Sequence, residues 1–159
     1  MSDIHVSEKA IDVFEKTHTN AFLKLEIGES FDICPILLEL HYEQAQRRVH
    51  PDLWSSEIGK RLATQLSAEC TQAYQILRNP EKRAEHLLQL GGHWPLPSFP
   101  DLFEETFSWY EAERQPNAHD YNQVHAAFAS AWNESDVISA QRAYWWMMAL
   151  GQIQRSFSR

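Results

Sequence analysis

Pro51 constrains this chain more than any other residue, because it interrupts two apolar stripes of helical period. Before it, Leu38, Tyr42, Ala45 and Val49 recur at steps of three and four, the spacing of one helix face. After it, Ile58, Leu62, Leu66, Cys70, Ala73 and Leu77 do the same. Pro51 has no backbone N–H and pushes His50 out of the α region, so the first helix stops there. Two apolar faces joined by so short a break bury each other most directly by packing antiparallel. The sequence thus predicts a helical hairpin with an exposed, partly basic tip, Arg47-Arg48-Val49-His50-Pro51-Asp52.

The rest of the chain is punctuated in the same way. Ser7, Ile11 and Phe14 suit a short capped helix within residues 2–17. Asn20 to Leu25 reads as a helix ending in the turn Glu26-Ile27-Gly28, with Phe22 and Leu25 facing a core. Pro35 suits the first position of the next helix, with Asp32 a better cap than Cys34. Asn79-Pro80 restarts the chain into a helix over 81–90, which Gly91-Gly92 stops. Pro95, Pro97 and Pro100 then mark residues 93–100 as a semi-rigid linker.

Beyond that linker, Phe103, Phe107 and Tyr110 share one helix face, and Tyr121, Val124, Phe128 and Trp132 share another. Ser135 is a candidate cap for a last helix running from Asp136 towards Phe157. With Gly at only 5 of 159 residues and apolar residues at 43%, the expected class is all-α. The expected division is an extension over 1–18, a hairpin domain over 19–92, the linker over 93–100 and a three-helix bundle over 101–159.

Charge and chemistry narrow the function classes. A net charge of −8 argues against a protein that tracks nucleic-acid phosphates. Cys34 and Cys70 form no CxxC and no His-rich cluster, so neither a zinc site nor a disulfide framework is expected. The apolar run from Ala143 to Leu150 is too short for a membrane span, and Met1 to His5 opens no signal pattern, so a cytoplasmic protein is the expectation. His50 and Asp52 could suggest general-base chemistry, but no nucleophile, metal cluster or glycine-rich phosphate loop accompanies them. No cofactor and no enzymatic activity are expected.

Residues 19–92 resemble a J-domain, with the second helix ending in His50-Pro51-Asp52. More specifically, Asn20-x-Phe22, Phe31-Asp32-Ile33, Gln65 to Ala68, Gln72-Ala73-Tyr74, Leu77 to Pro80 and Arg83 to Leu88 resemble the HscB family of iron-sulfur co-chaperones. The resemblance implies a J-domain that stimulates ATP hydrolysis by a DnaK/HscA-type chaperone. It also implies a C-terminal three-helix bundle that holds the cluster scaffold IscU.

By the same resemblance, Asp52 offers its carboxylate to an arginine of the chaperone, His50 adds hydrogen bonding, and Pro51 fixes the loop. Arg47 and Arg48, with Lys60 and Arg61, would complement an acidic face and speed encounter. Leu53-Trp54 stand where many J-domains carry Lys or Arg. The expected scaffold patch combines Phe103, Phe107 and Trp146. Two alternatives stay open: a general J-domain protein serving another client, and a helical adaptor with a degenerate J-domain.

Overall fold

The computed structural model describes residues 20–158, and the helix expected within residues 2–17 lies outside them. Among the described residues every regular element is helical: α1 (Ala21–Lys24), α2 (Pro35–Arg48), a 3-10 turn (Pro51–Leu53), α3 (Glu57–Arg78), α4 (Pro80–Leu90), α5 (Pro100–Glu111), α6 (Ala118–Asn133) and α7 (Val137–Ser156). The fold class is all-α, as expected. Two compact units divide the chain, the first ending at Asn79 and the second beginning at Pro80.

In the first unit, Asn20 caps α1 by accepting from the N–H of Phe22 at 2.9 Å and of Leu23 at 3.3 Å. Phe22 and Leu25 are fully buried, as the sequence predicts. Pro35 opens α2, but neither Cys34 nor Asp32 caps it through a side chain. The pairs Glu39–Tyr74, Tyr42–Thr71 and Gln46–Ser67 cross between α2 and α3 with one number rising as the other falls. That register is antiparallel, so the expected hairpin forms.

The α3 stripe holds only in its C-terminal half. Cys70, Ala73 and Leu77 are buried, whereas Ile58 and Leu62 are 82% and 45% exposed. Near the tip Gly59 and Ala63 face inward instead, and Trp54 lies across Gly59. A Cβ at position 59 would sit 2.8 Å from Trp54 Cε3, so the ring occupies the space a larger residue would need. Burial also pushes the Cys70 thiol up from its ordinary pKa, which suits a small core residue better than a nucleophile.

In the second unit α7 is the central element, packed by α6, α4 and α5. Tyr144, Met147, Leu150 and Ile153 of α7 are almost wholly buried, with Phe128, Leu87 and Leu88. The helix over 80–90, placed with the hairpin from sequence, belongs to this unit: Tyr144 donates its hydroxyl to Glu85 at 3.1 Å. The Pro-rich stretch also lies within it. Gln141 donates to the His93 carbonyl at 2.9 Å, and Trp94 meets Tyr144 edge-on at 5.8 Å.

Helix ends in this unit are well specified. Asn117 and Asp120 form a reciprocal capping box at the start of α6, and Arg114 reaches the buried Asp120 carboxylate at 3.0 Å. Asp136, rather than Ser135, caps α7 by accepting from Ser139 N–H at 3.1 Å. Ser135 instead takes φ 59°, a left-handed residue ending the α6 segment.

Candidate functional site

At the hairpin tip, pre-proline geometry holds His50 extended, with φ −63° and ψ 131°. Its Nδ1 accepts the Asp52 N–H at 3.3 Å, so His50 caps the short turn that carries Asp52. The Asp52 carboxylate lies 3.5 Å from the same nitrogen, yet its side chain is 89% exposed. The arrangement presents one carboxylate to solvent on a turn stiffened by a proline and a side-chain cap. Such a group can accept a charge-assisted hydrogen bond from an external cation.

Three of the four basic residues around the turn are paired, and the fourth, Arg61, is exposed. Arg47 pairs with Glu43 at 3.3 Å, Arg48 with Glu26, and Lys60 with Glu57 at 3.3 Å. These partners are exposed, so each pair is individually weak and opens at little cost. Their combined effect is nevertheless to cancel the positive field that Arg47 and Arg48 would otherwise project. Leu53 is 68% exposed, and Trp54 is pinned on Gly59.

In the second unit, Phe103 and Phe107 stay exposed together on α5, one turn apart. Phe103 lines a groove of about 320 Å³ with Trp94, Leu96, Tyr110, Trp145 and Met148. Trp146 is not part of it. Its ring lies 5.6 Å from Trp109, and it lines another groove with Leu102 and Val124. Each α-helical residue turns about 100°, so Trp145 and Met148 share one flank of α7 while Trp146 falls on the other. Nothing in the proline pattern pointed to Trp94.

No protein-family model matches the chain. Curated relatives do: it is 44% identical over 75 residues to the co-chaperone protein HscB homolog of Shewanella halifaxensis, and 39% identical over 75 residues to that of Pseudoalteromonas atlantica. Those 75 residues are 46% of this chain and 43% of each relative, so the match spans less than half of the relatives' length. In fold, the chaperone HscB from Vibrio cholerae matches with a TM-score of 0.72 at 22% identity, over 88% of this chain and 96% of that one. Human co-chaperone protein HscB matches with a TM-score of 0.72 at 21% identity, over 87% of this chain and 80% of that one. The protein is thus HscB-like: similar to HscB co-chaperones in sequence over 75 residues and in fold over most of its length.

Proposed function

We propose that the protein is a J-domain co-chaperone that stimulates a DnaK/HscA-type ATPase and delivers an IscU-type scaffold to it during iron-sulfur cluster assembly. The observation that carries this reading is the exposed Asp52 carboxylate on the His50-capped turn at the end of an antiparallel hairpin. Asp52 would take an arginine of the chaperone and bias that protein's conformational equilibrium. His50 and Pro51 would keep the carboxylate in position, and Arg47 and Arg48 would contribute once their glutamates let go.

The second unit would hold the scaffold on Phe103 and Phe107, with Trp145 and Met148 taking the place expected for Trp146. Carrying both contacts on one chain makes the second an intramolecular event at raised effective concentration. The adaptor reading has one observation in its favour, the neutralised cations of the tip.

The test is steady-state ATP hydrolysis by a DnaK/HscA-type chaperone with the wild type and with His50→Gln. Stimulation should fall on the order of tenfold or more in the variant, with an unchanged circular dichroism spectrum. Equal stimulation by both proteins overturns the reading, and binding without any stimulation favours the adaptor. Added IscU should raise stimulation by the wild type and do so less for Phe103→Ala, Phe107→Ala.

A further inference from the structure

The surround of the turn carries its own chemistry. Arg47, Arg48 and Lys60 are each matched by a carboxylate within the same unit, so little net positive charge is left to meet an acidic partner. Apolar surface takes its place. Leu53 is 68% exposed, Trp54 38%, Ile58 82% and Leu62 45%. Leu53 and Trp54 follow Asp52 directly, and Trp54 lies on Gly59, the residue after Ile58. Ile58 and Leu62 are one helical turn apart on α3, on the flank of its buried stripe.

Neither Ile58 nor Leu62 is buried in the hairpin seam, which Gly59, Ala63 and the Trp54 ring already fill. A well-placed apolar cluster that its own fold leaves uncovered, next to a contact motif, is a surface for a partner.

We infer that Leu53, Trp54, Ile58 and Leu62 form an apolar apron that seats on an apolar patch of the ATPase chaperone beside the arginine taken by Asp52. The inference rests on the co-chaperone reading. Two observations choose this occupant: the apron is continuous with the turn, and three of the four cations around it, Arg47, Arg48 and Lys60 but not Arg61, are already paired with carboxylates. Trp54 is held in advance by Gly59, which limits the side-chain ordering that docking requires. The contact is then formed mainly by desolvation, with the Asp52 hydrogen bond, and any share Arg47 and Arg48 take once released, confined to its edge. Its strength depends little on ionic strength, because screening acts on exposed charges and not on apolar burial.

The experiment measures half-maximal stimulation of a DnaK/HscA-type chaperone between about 50 mM and about 500 mM KCl, across which exposed charge pairs are strongly screened. For the wild type the half-maximal concentration should change by less than about threefold. The double variant Ile58→Gln, Leu62→Gln should raise it about tenfold at every salt concentration, with maximal stimulation retained. Both substitutions are at exposed helical positions, and circular dichroism checks the fold.

A double variant that matches the wild type, or a wild type whose half-maximal concentration rises tenfold or more with salt, overturns the apron and leaves the co-chaperone reading standing. A wild type that gives no stimulation at any salt overturns both. Sedimentation showing a salt-resistant dimer of the wild type, lost in the double variant, assigns the apron to a second copy of this chain and also overturns the proposal.

Discussion

The two units are held together by different chemistry. Across the α2–α3 seam a polar network runs beside the buried apolar strip of Leu38, Ala45, Ala63, Cys70, Ala73 and Leu77: Gln46 donates to the Ser67 carbonyl at 3.0 Å and to Thr71 at 3.1 Å, and Ser67 donates back to Gln46 at 2.6 Å. Tyr42 stacks on Tyr74 at 4.4 Å, and Tyr74 donates to Glu39. Around α7, by contrast, the meeting surfaces are apolar and closed, with Tyr144, Phe128, Met147, Leu150 and Ile153 almost wholly buried. Directional bonds fix a register without much burial, while apolar packing supplies most of the free energy. The hairpin therefore keeps its tip in a fixed position while leaving apolar surface beside it uncovered.

The contrast breaks first at Tyr144, where the largest effect is expected. Tyr144→Ala opens a cavity in the α7 core and should cost about 3–5 kcal/mol in denaturant unfolding, as for other large aromatic truncations. Tyr144→Phe keeps the ring and removes only the bond to Glu85, at about 1 kcal/mol. Burial, then the neighbouring Glu85 carboxylate and the bond to it, hold the Tyr144 phenol well above its ordinary pKa. Equal losses in the two variants would show that the polar bond, and not packing, anchors α4 to α7.

A middle-sized effect belongs to the seam. Gln46→Ala removes three hydrogen bonds from a half-buried network and should cost about 1–2 kcal/mol. Ile58→Ala, at an exposed position of the same hairpin, should change stability by no more than about 0.5 kcal/mol. If the order reverses, with Ile58 mattering more than Gln46, the polar network does not hold the seam and the tip is not spare surface.

The make-up of the seam also explains what the sequence could and could not reveal. Apolar periodicity found the hairpin, its break at Pro51 and the buried Phe22 and Leu25, because each rests on a local rule. It misplaced Ile58 and Leu62, because a pattern of large apolar residues cannot register that Gly59, Ala63 and a tryptophan from the turn would fill the seam instead. The His50-Pro51-Asp52 turn was legible for the opposite reason: proline geometry and the His50 cap are set by neighbours in the chain. At α7 the tryptophans were legible as a set but not one by one. Which of Trp145 and Trp146 meets α5 near Phe103 depends on helix rotation, and rotation is fixed by the core on the other side.

What the two units share is how they end helices, and there the smallest effects are expected. Glu26, Glu113 and Ser135 have φ of 54°, 49° and 59°, and Gly92 has φ of 74°. After each, the next N–H reaches back five residues: Ile27 to Phe22 at 2.9 Å, His93 to Leu88 at 2.8 Å, Arg114 to Trp109 at 3.0 Å and Asp136 to Ala131 at 2.8 Å. This is the Schellman ending, which favours glycine because a Cβ in the left-handed region costs about 1–2 kcal/mol. Only one of these four positions is glycine. Glu113→Gly should therefore stabilise the second unit, by about 0.5–1 kcal/mol once the added freedom of the unfolded chain is subtracted. Thermal unfolding reads the sign. A loss of stability would mean that the Glu113 side chain supports the end of α5 by more than its backbone conformation costs, in a unit otherwise governed by apolar packing.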